Sequence, residues 1–292
     1  MPEPALSQSD IRAAATARDA VHTIVADAHS SFYWALRFLP RDRREAIFAV
    51  YAFCRSVDDI ADGPGSVDEK LALLAEWRAE VQRLYAGAPT RPITHALQVP
   101  VARYGLHQDD FLALIDGVKM DAAGRMCAPS LLEQELYCRR AAGAIGMLST
   151  TIFGLRRPEG RSLALSLGQA LQYVNFLRDL AEDAAQGRIY VHRELLAAKG
   201  ITTRDPAAFL RDPNLPEVAL VMAAMARARF RAARRVLKAV PRGLGRPARI
   251  MMETYEIVLD RLLARGFAPD ALDRPVRLGR AARLWIALRA AF

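Results

Sequence analysis

The chain has 292 residues, of which 52% are hydrophobic and 25% are charged, with a formal net charge of +9 and an isoelectric point near 9.9. This composition is ordinary for a globular protein, and the length is sufficient for a substantial core. The positive charge favours anionic partners, such as phosphorylated metabolites or an acidic membrane surface. The basic residues are spread out and carry no recognisable nucleic-acid-binding motif, so we expect no nucleic-acid partner.

The cysteines and the apolar segments bear on the compartment of the protein. Cys54, Cys127 and Cys138 show no metal-site spacing, and we interpret them as reduced thiols. The N-terminal segment MPEPALSQSDIRAAATARDA lacks the apolar region of a secretory signal. The longest weakly polar run, residues 141–155, is too short and too rich in serine and threonine for a membrane span. We therefore expect a cytoplasmic protein without a transmembrane helix.

Helical periodicity extends over almost the whole chain, and no run alternates as a strand would. Turn signals such as DGPG at 62–65 and RDPNLP at 211–216 separate the helical runs. The predicted helices span residues 41–61, 67–86, 92–103, 107–118, 130–154, 160–185, 215–240 and 245–265, with a last one from about 276 to the end. No linker is long enough to divide the chain, so residues 1–292 are predicted to form one all-α domain.

A first stripe of charge lies in the segment YAFCRSVDDIADG, which continues an apolar helical run. At about 100° per residue, Tyr51, Arg55, Asp58 and Asp62 fall in one narrow arc, with Asp59 at its edge. Burial of unpaired carboxylates is costly, so this stripe requires counter-ions, a metal or water.

A second stripe lies in the segment LQYVNFLRDLAEDAAQGRIYVHRE. Its polar residues on one helical face are Gln172, Asn175, Asp179 and Asp183, with Arg178 and Glu182 beside them. The four-residue spacing of the aspartates repeats that of the first stripe. One such pair is typical of a solvated helix face, but both pairs follow apolar runs and both lie among polar residues.

Enzymes that remove a diphosphate group from a substrate need pairs of carboxylates such as these. Mg²⁺ prefers oxygen ligands, usually a few carboxylates together with substrate phosphate and water. Two facing helices with two carboxylates each could hold several Mg²⁺ ions around a diphosphate, and the ions would neutralise its charge as it leaves. Arginines complete such a site with forked hydrogen bonds, and the resulting carbocation needs a dry, apolar pocket.

The two stripes resemble those of the squalene and phytoene synthase family. DDIAD, preceded by Tyr51 and Arg55, is similar to the first family motif, and NFLRDLAED, preceded by Gln172, is similar to the second. The likeness covers roughly residues 28 to 278. The pattern N-x-x-R-D-x-x-E-D also distinguishes the chain from chain-elongating prenyltransferases, whose second motif is a DDxxD that is missing here.

The resemblance implies a single-domain isoprenoid synthase, an all-α helical bundle around a central cavity. It also implies that two prenyl diphosphates are joined head to head through a cyclopropyl diphosphate. The positions that match the family's Mg²⁺ ligands are Asp58, Asp62, Asn175, Asp179 and Asp183. The positions that match its diphosphate contacts are Tyr51, Arg55, Gln172 and Arg178.

Further segments resemble parts of the family's substrate cavity. LYCRRAAGAIG makes Tyr137 the candidate that steers proton transfer or steadies the cation, which places it with the four aspartates as a catalytic residue. The other substrate-binding candidates are Ser30, Ser31 and Phe32 in HSSFYWALRFLP, Arg188 and Tyr190 in GRIYVHRE, and Tyr255 and Arg274 near the C-terminus.

Residue patterns alone leave other interpretations open. Tyr137 and Tyr255 also fit core tyrosines whose hydroxyls bond to the backbone. The serine pair before FYWALRFL also fits a helix N-cap. Gly143 and Gly146 fit either close helix packing or space for a prenyl chain.

Within the family, YAFCRSVDDIADG and YCRRAAGAIGMLS are most similar to bacterial enzymes that form presqualene diphosphate for hopanoid synthesis. This implies two molecules of farnesyl diphosphate as substrates and Mg²⁺ as cofactor. Phytoene or dehydrosqualene synthesis is the alternative reaction, because those enzymes share the same motifs. A catalytically inert lipid-binding or assembly protein on the same scaffold is the alternative without chemistry. Product identity, use of NADPH and oligomeric state stay open.

The C-terminal segment RPVRLGRAARLWIALRAAF bears on membrane contact. In a helix, Arg277, Arg280 and Arg283 lie within about a third of the circumference, while Trp285 lies elsewhere. One interpretation is a last helix packed on the domain with solvated arginines. The other is a helix on an anionic membrane surface, which implies weak, salt-sensitive binding to anionic vesicles.

Overall fold

The computed structural model describes residues 19–25, 39–272, 274 and 276. Within these residues the predicted all-α fold is confirmed, and the only β-type pairing is an isolated bridge between Cys127 and Ile189. Residues 19–25 are helical. The helices that follow are α1 (Arg41–Asp62), α2 (Val67–Tyr85), α3 (Pro92–Tyr104), α4 (Gln108–Ala122), α5 (Leu131–Cys138), α6 (Ala144–Phe153), α7 (Arg157–Arg178), α8 (Leu180–Ala185), α9 (Arg193–Ala198), α10 (Pro206–Leu210), α11 (Leu215–Ala239), α12 (Arg242–Arg265) and α13 (Pro269–Leu272).

Local sequence accounts for several helix ends. Ser66 caps α2 by accepting a hydrogen bond from the Glu69 backbone N–H, while the Glu69 side chain accepts one from the Ser66 backbone N–H at 2.7 Å. Gly105 and Gly154 end α3 and α6 in the left-handed conformation, with φ of 64° and 83°. The predicted turn at DGPG is therefore a real boundary between α1 and α2.

The predicted helix 130–154 is interrupted. A π-helical turn, Arg139–Gly143, separates α5 from α6. Two glycines of neighbouring helices allow their backbones to approach this turn. A Cβ on Gly168 would lie 2.9 Å from the Ala142 carbonyl oxygen, and one on Gly117 would lie 3.0 Å from the Cβ of Arg140. The wider turn is thus packed from both sides, as is common where such turns occur near functional sites.

The predicted helix 160–185 is also divided, and it begins earlier, at Arg157. Asp179 has φ −103° and ψ 15°, which ends α7 just before α8 begins. The backbone N–H of Asp179 still donates to Asn175, and that of Asp183 to Asp179, at 2.9 and 2.8 Å. The acidic face therefore continues across the break. The short helices α9 and α10 had no counterpart in the sequence prediction.

The buried apolar residues of the described ranges form two clusters. One includes Tyr173 of α7, Phe230 of α11 and Leu262 of α12. The other includes Phe53 of α1 and Phe111 of α4, whose rings meet edge to face at 5.1 Å, together with much of α6. The cavity described below is lined by residues of both clusters.

Some expectations concern residues outside the described ranges, and others concern membrane-spanning helices and the cysteines. The predicted last helix, with its arginines, lies outside the described residues, as do Ser30, Ser31 and Phe32. Of the helices that the structure describes, none combines the length and the apolar character needed to cross a bilayer. Cys54, Cys127 and Cys138 are free thiols.

Candidate active site

A cavity of about 1350 Å³ lies between the two clusters. The carboxylates that line it come from α1, α4, α8 and the junction of α7 with α8, and they lie together at one end, close enough to repel one another. The remainder of its lining is mostly apolar and comes from α6, α7 and α12. An acidic end joined to an apolar chamber suits a molecule with an anionic head and a hydrocarbon tail.

The first stripe faces this cavity. Asp58 and Asp62 both line it, as do Arg55 and Tyr51, which lie one and two turns earlier on α1. Asp59 does not line it; its side chain is half exposed and pairs with Arg55 at 2.8 Å. The sequence pattern therefore oriented this helix correctly, including the marginal position of Asp59.

The second stripe faces the same cavity. Its lining residues are Gln172, Asn175, Asp179, Glu182 and Asp183. Arg178 also lines the cavity, and its guanidinium donates to both carboxylate oxygens of Asp179, at 2.7 and 2.6 Å. Tyr255 of α12 lies beside this guanidinium, so the cavity also includes that predicted residue.

Asp121 joins the two stripes and was not predicted. Its carboxylate accepts a hydrogen bond from the Tyr190 hydroxyl at 2.7 Å, and the Tyr137 and Tyr190 hydroxyls lie 3.4 Å apart. Tyr190 also stacks on Phe176 at 4.5 Å between ring centroids. The sequence did contain a signal for this residue, since Asp121 lies among mostly apolar residues in the segment GVKMDAAG. The sequence prediction, however, ended this helix at residue 118, before Asp121.

Arg188 and Tyr190 are positioned by backbone pairing. The residue between them, Ile189, donates to the Met126 carbonyl and accepts from Ala128, both at 2.9 Å. Arg188 is nearly buried and donates to Asp62 at 2.8 Å. Backbone pairing therefore fixes two cavity side chains that come from a segment between short helices.

The carboxylates are held in an unfavourable setting for negative charge. Burial, followed by repulsion from Asp121 and Asp62, raises the pKa of Asp58 to about 7. Burial, followed by repulsion from Asp179, raises the pKa of Asp183 to about 8. Burial also raises the pKa of Asp121 to about 6, against the opposing effect of Arg188. Additional positive charge would relieve this repulsion.

The donor set fits a hard divalent cation. The side-chain oxygen of Asn175 is buried and has no hydrogen-bond partner among the described residues. The neighbouring donors are carboxylate oxygens, the ligands that Mg²⁺ prefers. No three acidic, histidine or cysteine side chains in the described part of the chain are close enough to hold a cation by themselves. In proteins, Mg²⁺ usually binds one or two carboxylates and completes its shell with substrate phosphate and water.

Small residues form one side of the apolar chamber. We call Ala141, Ala142, Gly146, Ala164 and Gly168 the small-residue wall. A Cβ on Gly146 would lie 2.9 Å from the Cα of Ala164, so this glycine both allows close packing of α6 on α7 and lines the cavity. Gly143 does not line the cavity, and a Cβ there would lie 3.4 Å from the nearest side chain.

The remaining predicted site residues differ in whether they line the cavity. Tyr137 is 6% exposed and lines the cavity. Arg274 is largely exposed, lies 3.8 Å from Asp270, and does not line the cavity as the described residues form it. Its contact with substrate stays a prediction, as do those of Ser30, Ser31 and Phe32, which lie outside the described residues.

We expect the free protein to become less stable as the pH rises from about 5 to 8. Asp58, Asp121 and Asp183 hold their protons to about pH 7, 6 and 8 in the folded state, whereas their ordinary value is 3.8. The folded state therefore binds more protons than the unfolded state in this window, and the free energy of unfolding falls as they are lost. Thermal unfolding of the metal-free protein across this range measures the slope, which Asp183→Asn should reduce. An unchanged slope would contradict the shift.

The fold and the site together define a class. The solved structure of the squalene synthase HpnC from Alicyclobacillus acidocaldarius is similar to this chain, with a TM-score of 0.78 and 29% identity, covering 90% of this chain and 98% of that one. The described helices, arranged around a cavity with facing acidic stripes, are those of an all-α isoprenoid synthase.

Sequence comparison narrows the class. The family model for squalene/phytoene synthase matches residues 25–282. A presqualene diphosphate synthase from Rhodopseudomonas palustris is 44% identical over 275 residues, which cover 94% of this chain and 97% of the relative. A 15-cis-phytoene synthase from Synechococcus elongatus is 32% identical and covers 69% of each chain. The chain belongs to the squalene/phytoene synthase family.

Proposed function

We propose that this chain condenses two molecules of farnesyl diphosphate head to head to presqualene diphosphate, with Mg²⁺ as cofactor, for squalene and hopanoid synthesis. In this proposal residues 1–292 act as one prenyl transferase domain. The observation that carries it is the pair of facing acidic stripes at one end of an apolar cavity. The higher identity to a presqualene diphosphate synthase than to a phytoene synthase supports the choice of product.

The acidic end would bind the diphosphates. Asp58, Asp62, Asn175, Asp179 and Asp183 would hold Mg²⁺, which neutralises the charge of the departing diphosphate when bound. The substrate-binding candidates at this end are Tyr51, Arg55, Gln172, Arg178 and Arg188. Each of these three arginines is paired with a carboxylate in the free chain. The forked contact that Arg178 makes with Asp179 is also suited to diphosphate oxygens.

The apolar chamber and its tyrosines would stabilise the carbocation that forms in the reaction. Departure of one diphosphate leaves an allylic cation, which bonds to the second substrate; loss of one proton then closes the cyclopropane, and the second diphosphate stays in the product. The apolar lining of the chamber, of which the small-residue wall is a part, would keep water from this cation. Burial raises the pKa of Tyr137 well above its usual range, so it stays a neutral phenol whose ring face can steady positive charge.

The substrates also suggest where the protein works. Farnesyl chains are lipid-like, and no described helix spans a bilayer, so we propose peripheral contact from the cytoplasmic side with an anionic membrane. The C-terminal segment with Arg277, Arg280 and Arg283 is one candidate for this contact.

Incubation of the purified chain with farnesyl diphosphate and Mg²⁺, with and without NADPH, tests the reaction. We expect presqualene diphosphate to accumulate, little change on addition of NADPH, and slow turnover of geranylgeranyl diphosphate, because a longer tail must fit among packed side chains. Product identification by mass spectrometry decides the outcome. Efficient phytoene formation would favour the alternative reaction, and no product with any prenyl diphosphate would favour the inert scaffold.

A further inference from the structure

One carboxylate of the cavity belongs to neither acidic stripe. Asp121 lies in the last turn of α4. Among the described residues, it is the one acid lining the cavity that comes from outside α1, α8 and the junction of α7 with α8. The pairing of carboxylates around a metal therefore leaves the role of Asp121 unexplained.

Asp121 lies where the acidic end of the cavity meets the apolar chamber. Its charge interacts with those of Arg188 and Asp62, which belong to the acidic end. Gly117, one turn earlier on α4, packs so closely on the π-helical turn that an added Cβ would lie 3.1 Å from the backbone nitrogen of Ala141. Ala141 is part of the small-residue wall. The same turn of α4 therefore contacts both parts of the cavity.

Two tyrosine hydroxyls are directed at Asp121. Tyr190 donates to its carboxylate at 2.7 Å, and the Tyr137 hydroxyl also lies within hydrogen-bond reach of it. Both tyrosines line the cavity, and both rings stack on Phe176, which fixes their orientation. A phenol that donates its proton to a carboxylate keeps lone pairs with which to accept another proton. The arrangement thus forms a path for a proton from the chamber to Asp121.

The proposed reaction needs a proton acceptor at this boundary. After one diphosphate has left, carbon 1 of that substrate bonds to both carbons of a double bond in the second substrate, so it must lose one hydrogen. The C–H bond breaks, and its electron pair forms the last bond of the cyclopropane. Because this carbon carried the departing diphosphate, the proton is released next to the acidic end. The aspartates of the stripes would be bound to Mg²⁺ there, which makes them poor proton acceptors.

We propose that Asp121 is the base that accepts this proton through the Tyr137 hydroxyl. The proton moves to the phenol oxygen while the tyrosine's own proton moves to Asp121, so the phenol is unchanged and the carboxylate becomes a carboxylic acid. Asp121 returns the proton to water after the product leaves. The inference rests on the proposed function, which supplies the proton-loss step. Burial raises the pKa of Asp121 to about 6, which suits a base that works near neutral pH.

The product ratio of Asp121→Asn tests this role. Each protein is incubated with farnesyl diphosphate and Mg²⁺, and presqualene diphosphate is measured against the single-farnesyl alcohols and hydrocarbons that form when the cation is quenched in another way. We expect this ratio to fall about 100-fold, because a general base typically contributes about 10²- to 10⁴-fold. Asp121→Glu keeps the carboxylate and should recover part of the ratio.

Asp109→Asn is the matched control. It removes the same charge from an exposed position in the first turn of α4, and Asp109 does not line the cavity. The product ratio of this variant should stay within about twofold of the unchanged chain.

Deuterium on carbon 1 of farnesyl diphosphate gives a second measurement, which a merely structural role would not affect. In Asp121→Asn the transfer of this hydrogen becomes the slowest step, so deuteration should slow presqualene diphosphate formation more than in the unchanged chain. Tyr137→Phe removes only the hydroxyl and should shift the product ratio in the same direction. The double variant should be little worse than either single one, because both residues act in one step. Circular dichroism checks folding, and Tyr137→Phe still decides the outcome if Asp121→Asn does not fold.

Three results would overturn the proposal. They are an unchanged product ratio in Asp121→Asn or Tyr137→Phe, equal changes in Asp121→Asn and Asp109→Asn, and a uniform loss of all products that higher Mg²⁺ restores. The last result would make Asp121 a metal ligand. Failure of the proposed function is recognised separately, in the unchanged chain: absence of any head-to-head product there would reject the reaction, and the assignment of its base with it.

Discussion

Replacement of Asp58 or Asp179 by asparagine is expected to lower turnover by more than about 100-fold without loss of the helical fold. Each change removes one carboxylate from a candidate cation site whose remaining donors lie on separate helices. Asp58→Asn also removes one charge from a repelling cluster, so this variant of the free protein should melt at the same temperature or slightly higher, whereas Asp179→Asn also loses the ion pair with Arg178 and should not gain stability. Steady-state kinetics with Mg²⁺ and thermal unfolding without it measure the two effects.

Asp59→Asn is the matched control for this experiment. Asp59 is adjacent in sequence to Asp58, but its side chain is half exposed and does not line the cavity. The control should therefore keep turnover within a few-fold of the unchanged chain. Near-full Mg²⁺-dependent activity in Asp58→Asn or Asp179→Asn would reject the two-stripe site, and equal losses in all three variants would reject the orientation of α1.

Arg188→Gln is expected to impair both stability and turnover. Arg188 is nearly buried, pairs with Asp62 and counteracts the raised pKa values of Asp121 and Asp183. Loss of a buried partner typically costs 3–5 kcal/mol, and the exposure of Asp62 reduces this to about 2 kcal/mol, or a fall of about 5 °C in melting temperature. The loss should be larger at pH 8 than at pH 6, because more of the neighbouring carboxylates are then charged.

Two controls separate charge from geometry at Arg188. Arg188→Lys keeps the positive charge but not the fork, so it should recover most of the stability and only part of the turnover. Arg193→Gln removes a half-exposed arginine from the same segment and should change the melting temperature by less than about 1 °C. A melting temperature of Arg188→Gln equal to that of the unchanged chain at pH 8 would contradict the electrostatic role.

The sequence predicted the features of the site that are determined within a single helix. The spacing of Asp58 and Asp62 fixes their common face within any α-helix, and the structure keeps that face on the cavity. Asn175 and Asp179 kept their common orientation even though the helix ends between Arg178 and α8, because the backbone bond pattern continues across the break.

Features that depend on contact between distant segments were not predictable in this way. Asp121 became part of the site through Tyr190, 69 residues later in the chain, and neither has a local pattern that indicates the other. The π-helical turn depends on glycines of α4 and α7 that pack against it. Residues of this kind take their conformation and their role from tertiary packing, which overrides local periodicity.

The small-residue wall makes the cavity of this enzyme easier to narrow by substitution than to widen. Alanine and glycine leave nothing to trim, and the backbones behind them are already in contact at Gly146 and Gly168. Engineering or natural drift towards bulkier products must therefore remove volume from larger lining residues, such as Phe153, Leu163 and Met251. Each such truncation leaves a void in the free protein and lowers its stability. A wider product range is thus obtained only at the expense of thermal robustness, and variants selected for it should carry stabilising changes elsewhere in the chain.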